Sequence, residues 1–252
     1  MTDTAVEKTL AVLEALADHT RITDIARVTG LPKSTVHRLL QTMVDRGFAT
    51  LGSDGYLTGP RVLALAGKVL RPLDTVERAR PFLRALQEST GCTVHLAVLF
   101  GDELVYVDKI EANKPYRMAS RLGMSLPAHG TAIGKAVLAS QSASELDAYI
   151  ARVGLPGRTP KTITSSSRLK SQLSRVRRSR FALDDEENEL GVRCVGAAIR
   201  DHAGTVIGGL SASSLAMEHA LQELIALGPR VVQAAEEVSA ALGWGPSPGG
   251  AS

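Results

Sequence analysis

Residues 22–41, ITDIARVTGLPKSTVHRLLQ, decide the reading of this chain. Ala26 falls where two helices would cross, and a bulkier side chain there would push them apart. Gly30, four residues on, supplies a left-handed turn that a β-carbon would strain. Val36 and Leu39 then lie on the inner face of the second helix and close a small core. Four steric requirements met at these offsets define a helix-turn-helix. The outward face of the second helix carries Lys33, Ser34, Thr35, His37, Arg38 and Gln41, with no carboxylate between Pro32 and Met43. Those side chains hydrogen-bond phosphates and base edges, so they are the candidate DNA-binding residues, with Lys33, Ser34 and Thr35 entering the major groove.

Working outward, Val6, Leu10, Val12, Leu13 and Leu16 recur at helical spacing and predict a first helix. Thr23–Thr29 predicts the second, with Thr23 as N-cap and Ile25, Ala26 and Val28 turned inward. The third opens at Pro32 and ends near Gly47. Residues 48–58, FATLGSDGYLT, predict a β-hairpin around a glycine-rich turn, the wing of a winged helix. A helix over 61–71 bracketed by Pro60 and Pro72 predicts a linker. The domains expected are thus 1–59 for DNA, 60–74 as linker helix, 75–243 as a second domain, and 244–252 as a disordered tail.

The second domain opens with a helix over 75–89, with Pro81 early in it or kinking it, and then changes period. Strands are expected at 93–100, 103–111, 116–121, around 162–163, and at 181–187, 192–200 and 205–213. Helices are expected at 130–140, 144–152, 168–180 and 217–242. An antiparallel sheet with packed helices makes this an α+β domain, and the chain a two-domain α+β protein.

Bulk properties agree. The 252 residues are 44% hydrophobic and 22% charged, with a net charge of +3, which permits nucleic-acid binding without arguing for it. Cys92 and Cys194 form no CxxC pair, so neither a disulfide framework nor a zinc site is expected. That cysteine usage suits a reducing cytoplasm; the N-terminus has no apolar signal segment and no run is long enough for a membrane span, so neither an ordinary signal peptide nor a span is expected.

The chain resembles the IclR (isocitrate-lyase-regulator) family of bacterial transcription factors over about residues 6–243. The likeness rests on GLPKSTVHRLLQTM and GYLTGPRVLALA in the first domain. In the second it rests on TVHLAVL, VYVDKIE, MASRLGMSLPAHGTAIGKAVLA, FALDDEENELGVRCVGAAI and IGGLSAS. The resemblance implies a GAF-like effector domain, dimers that often pair into tetramers, and repression or activation of an operon. The implied partners are a double-stranded operator with an inverted repeat and a small carboxylate or aromatic acid as effector, with no cofactor and no metal.

By the same resemblance the effector pocket comprises the loop before the helix at 130 and the strands bearing Asp184, Cys194, Ser211 and Ser213. The residues agree chemically: Ala132 and Ile133 open a helix with free N–H groups, and Ser211 and Ser213 alternate onto one strand face. Each also has a plain alternative, Asp184 as part of a solvated acidic run, Cys194 as core, the serines as strand polar positions. Gly130, where the family commonly has alanine, and Gly209 depart from the pattern and suggest an enlarged pocket.

Two other classes remain. An enzyme fused to a DNA-binding module would need a site, and the six histidines show no HxxxH or HExxH spacing, nor is there a GxSxG or SxxK motif. GTAIGKA departs from a P-loop in spacing and in lacking Ser or Thr after the lysine. Cys194 with His95 or His129 is the one conceivable nucleophile–base pair. A winged helix used for protein contacts is the other alternative.

Overall fold

The computed structural model describes residues 4–70 and 74–245. They form two compact units divided between Asp74 and Thr75.

The first unit holds α1 (Ala5–Asp18), α2 (Ile22–Thr29), α3 (Lys33–Asp45), the hairpin β1 (Ala49–Gly52) and β2 (Gly55–Thr58), and α4 (Pro60–Leu70). A capping box between Thr4 and Glu7 starts α1. Gly30 ends α2 at φ 69°, as the turn requires. Gly47 at φ 74° ends α3: Phe48 N–H reaches Met43 O at 2.8 Å and Gly47 N–H reaches Val44 O at 2.9 Å, a Schellman pattern. Val12, Leu16, Ile25, Ala26, Val36, Leu39, Leu40 and Met43 form the core, closed by Ala49 and Tyr56 of the hairpin. Two expectations fail locally. Arg21, not Thr23, is the N-cap of α2, and it makes no side-chain cap bond. Val28 faces solvent at 55% exposure, because α2 has only eight residues and its inner face is filled by Ile25 and Ala26.

The second unit opens with α5 (Asp74–Thr90), which carries Pro81 inside it. Its sheet has six antiparallel strands in the order β5-β4-β3-β8-β7-β6. These are β3 (Thr93–Phe100), β4 (Glu103–Ile110), β5 (Ser125–Leu126), β6 (Ala182–Asp185), β7 (Val192–Arg200) and β8 (Val206–Leu215). The other helices are α6 (Ala132–Leu138), α7 (Ala143–Val153), α8 (Ser166–Ser179), α9 (Leu221–Ala226) and α10 (Gly228–Ala241).

The two-residue period of the strands sorts the faces. Val94, Leu96, Val195, Ala197, Leu210 and Ala212 point to a core shared with α5, α9 and α10. The intervening residues point to the other face, where α6, α7 and α8 build a second core. Gly196 and Gly209 let α6 lie on that face. A β-carbon at Gly196 would sit 2.9 Å from Ile133 N, and one at Gly209 would sit 2.6 Å from Ala197 O and 3.0 Å from Ile133 Cγ2. Gly209 therefore serves close packing. Gly130 has ordinary contacts only, with Thr162 Cγ2 at 3.8 Å, and neither glycine lines the cavity described below, which corrects the expectation of an enlarged pocket.

Other expectations also shift. Residues 116–121 pair with no strand, and β5 lies further on at Ser125–Leu126. Thr162–Ile163 is not a strand: Thr162 Oγ1 instead accepts from Arg158 and Thr159 N–H at 3.0 and 2.9 Å. The long helix expected over 217–242 is two, parted at Leu227 where Pro229 starts α10. Of the tail, Trp244 is half-buried and its N–H reaches Ser239 O at 2.9 Å. The linker proline Pro72 and the rest of the tail, 246–252, lie outside the described residues.

Candidate functional site

In the first unit, Lys33, Ser34, His37, Arg38 and Gln41 are exposed along α3 and Thr35 is half-buried. The first turn of α3 holds no acid, so the helix dipole and Lys33 add their positive potential. Gln41 Nε2 lies 3.5 Å from Asp45 Oδ1. The hairpin is anchored, not free: Tyr56 N–H reaches Thr20 O at 2.8 Å. It carries Asp54 and no lysine or arginine, so its approach to a duplex would use backbone and hydroxyl groups. Arg46 and Arg61, both exposed, lie beside one another across Gly47, whose added β-carbon would be 3.7 Å from Arg61 Cβ. Both are basic, and their closeness in the fold is visible only once the chain is folded.

In the second unit, Ala132, Ile133, Asp184, Cys194, Ser211 and Ser213 all line one cavity of about 60 Å³. Register explains it: Cys194 lies opposite Asp184 on β6 and Ser213 on β8, and His95 opposite Ser211, all on the α6 face. Thr131 caps α6 by accepting from Gly134 N–H at 3.2 Å, which brings the first turn of the helix over the strands.

Sequence reasoning missed the rest of the lining: His95, Tyr106, Met118, Ser120, Met124, Asn188 and Glu189 among them. His95 was weighed only as a base. It is buried at 2% exposure, with Nε2 2.7 Å from Ser120 Oγ and Nδ1 3.2 Å from Ser213 Oγ. Its ring packs on Tyr106 with centroids 4.8 Å apart. Alternation with Ala97 on β3 was the signal that placed it.

Charge in the cavity wall is unusual. Asp184 is 2% exposed and its Oδ1 accepts from Glu187 N–H at 2.7 Å. Burial pushes its carboxyl up to about 7, against the charge of Lys135 and the backbone N–H bonds, which pull it down. Behind it, fully buried Lys135 meets Glu187 Oε1 at 2.5 Å, while Glu187 Oε2 has no partner. Only Asp185 and Glu186 of the acidic run bond outward, to Lys161 and Arg193. Burial and the nearby Lys109 charge press His95 down to about 3, and burial and Asp184 push the Cys194 thiol up. A neutral thiol and an imidazole that poor as a base do not make a nucleophile–base pair. Among the described residues no group of His, Cys, Asp and Glu is arranged for a metal ion, and no helix is long and apolar enough to cross a membrane.

A larger cleft of about 340 Å³ opens between α6, α8 and α10 beside Trp244. Its arginines are engaged structurally: Arg177 Nε donates to Ala139 O at 2.8 Å, Arg180 pairs with Glu236, and Arg200 donates to Gly204 O at 2.8 Å. Size alone therefore does not mark the site; the smaller cavity has the converging polar groups.

Residues 67–240 match the family model of the bacterial transcriptional regulator IclR C-terminal domain, and residues 5–51 match that of the IclR helix-turn-helix domain. The chain is 36% identical over 245 residues to the transcriptional regulator XynR of Escherichia coli K12, covering 95% of this chain and 97% of that one. The crystal structure of the Thermotoga maritima IclR superposes with a TM-score of 0.79 at 32% identity, over 95% of this chain and 98% of that one. An IclR homologue from Microbacterium hydrocarbonoxydans, solved with 4-hydroxybenzoate, superposes with a TM-score of 0.79 at 26% identity, over 95% and 99%.

Proposed function

The chain belongs to the IclR family of bacterial transcription regulators, and from that premise we propose how its own residues bind an operator and an effector. Lys33, Ser34, Thr35, His37, Arg38 and Gln41 read base edges and phosphates in the major groove, with Arg46 and Arg61 adding phosphate contacts. Two copies bind the halves of an inverted repeat. Exposed apolar residues on α1 (Val6, Leu10) and α4 (Leu63, Leu65) supply surface for pairing, and pairing of dimers gives a tetramer. The protein acts in the cytoplasm and catalyses nothing itself.

The effector is a small organic acid held in the cavity of the second unit. The observation that carries this reading is the convergence of Asp184, Cys194, Ser211 and Ser213 with the Ala132–Ile133 turn on one pocket. Hydroxyls and backbone N–H groups there would bind a carboxylate, and Tyr106, Met118, Met124 and Leu126 would cover its apolar part. The 4-hydroxybenzoate bound by the Microbacterium homologue is an acid of this kind. Binding acts on DNA by favouring one relative arrangement of the paired winged helices; since the groove repeats every ~34 Å, a small change forfeits contacts at one half-site.

The test is a thermal-shift screen of small mono- and dicarboxylates, with hits carried into operator titrations. An acid that raises Tm in wild type but not in Ser211→Ala/Ser213→Ala, and that changes operator affinity, is the expected result. An acid that changes operator affinity equally in both proteins would remove the cavity from the mechanism.

A further inference from the structure

The segment between β4 and β5, residues 111–124, gives the cavity Met118, Ala119, Ser120 and Met124. Its sequence has strand character over 116–121, yet no strand pairs with it. The Met118 and Ser120 carbonyls are held instead by one side chain. Lys109 Nζ donates to Met118 O and to Ser120 O, each at 2.9 Å. The chain bends at Ala119, which turns the Met118 and Ser120 carbonyls onto the one ammonium. Glu111 at 2.8 Å takes its third donor, and the lysine side chain is 10% exposed. Three donors thus meet three acceptors away from bulk water.

A second tie runs through the cavity. His95 joins Ser120 on this segment to Ser213 on the floor through its two ring nitrogens. Further out, Tyr116 and Lys114 bind Glu218. With the segment in this position the free space is about 60 Å³, room for about four to six waters at 10–15 Å³ each. Full enclosure of anything much larger needs part of the wall to move.

We propose that Lys109 is the latch that holds the 111–124 segment closed over the effector cavity, and that loading of an acid larger than this space requires the latch to open. The proposal rests on the effector reading above, but the latch itself is testable without ligand.

The experiment is hydrogen exchange by mass spectrometry on the full ligand-free chain. The peptide 117–125 contains the Gly123 and Met124 amides, which bond to Tyr106 O at 2.8 Å and Arg121 O at 3.2 Å. Lys109→Met is expected to speed their exchange at least tenfold while peptides of β7 and β8 are unchanged, and Lys109→Arg, which keeps a charged multiple donor, restores slow exchange. Unchanged exchange in Lys109→Met overturns the latch. So does acceleration by the same factor across the whole sheet, which would make Lys109 a general structural residue. If Lys109→Met does not fold, Lys109→Gln, which removes the charge and keeps a single amide donor group, is expected to speed the same amides at least threefold; no change there also overturns the proposal. A wild-type protein that binds no small acid would refute the effector reading and leave this result standing.

Discussion

Lys135 offers a sharp test of how the wall of the effector cavity is held. Its side chain is 0% exposed, its Nζ is 2.5 Å from Glu187 Oε1, and Glu187 is itself 7% exposed at the side chain with Oε2 unpartnered. Asp184, 2% exposed, also lies in the field of that ammonium. Lys135→Met keeps most of the volume and removes the only positive charge of the cluster, stranding Glu187. Breaking a buried pair from one side costs about 3–5 kcal/mol, whereas replacing both partners with apolar groups is often neutral. With a urea slope of about 2 kcal/mol per molar, the midpoint should fall by about 1.5–2.5 M. Lys135→Met/Glu187→Leu should recover most of the loss. The assay is urea unfolding followed by the fluorescence of Trp244, the one tryptophan of the chain, whose N–H is bonded to Ser239 O of α10 in the same unit. A loss below about 1 kcal/mol at pH 8, or a double variant no more stable than the single one, would refute the reasoning, since it would mean that no buried charge is left uncompensated.

Further expectations concern both units. Lys33→Ala or Arg38→Ala should weaken operator binding, and a residue that contacts phosphate should lower the salt slope by about one; unchanged binding in mobility shifts would place the recognition face elsewhere. Affinity for an anionic effector should fall as pH rises from 6 to 8, because Asp184, held near 7 by burial, becomes a second anion in the cavity; calorimetry should find this dependence flattened in Asp184→Asn. The same group should affect stability. Its folded carboxyl keeps a proton that the unfolded chain releases near 3.9, so stability is lost as pH rises from about 4 to about 7, and Asp184→Asn should remove that slope in urea titrations. Gly209→Ala places a β-carbon 2.6 Å from Ala197 O of β7 and 3.0 Å from Ile133 Cγ2 of α6 and should destabilise by about 1–3 kcal/mol, measured as a lower Tm; an unchanged Tm would show that β7 and α6 both give way freely.

The helix-turn-helix was legible because its constraints are local. Ala26, Gly30, Val36 and Leu39 each answer a steric demand made within twenty residues. The six cavity residues were legible from the family pattern and from strand alternation at Ser211 and Ser213. His95, Tyr106 and Lys109 were not, because their roles depend on which strands become neighbours. The strand expected at 116–121 failed for the same reason: a run with strand character pairs with whatever acceptor or donor row lies nearby, and here that is the Lys109 ammonium. Val28 shows the converse error, an apolar residue on a helix too short to bury it. Asp184 and Glu187 look like a solvated acidic run until Lys135, some fifty residues earlier, is brought against them.

The most direct test of the central claim is fluorescence-anisotropy titration of the purified full chain with the intergenic DNA beside its own gene. It should be run at two salt concentrations with competitor DNA, and with and without an acid found in the screen. The account predicts specific retention that survives competitor, weakens with salt as phosphate contacts require, and changes in affinity when the acid is added. Affinity for the operator that is independent of the acid over a full titration, although the acid fills the cavity, would contradict it.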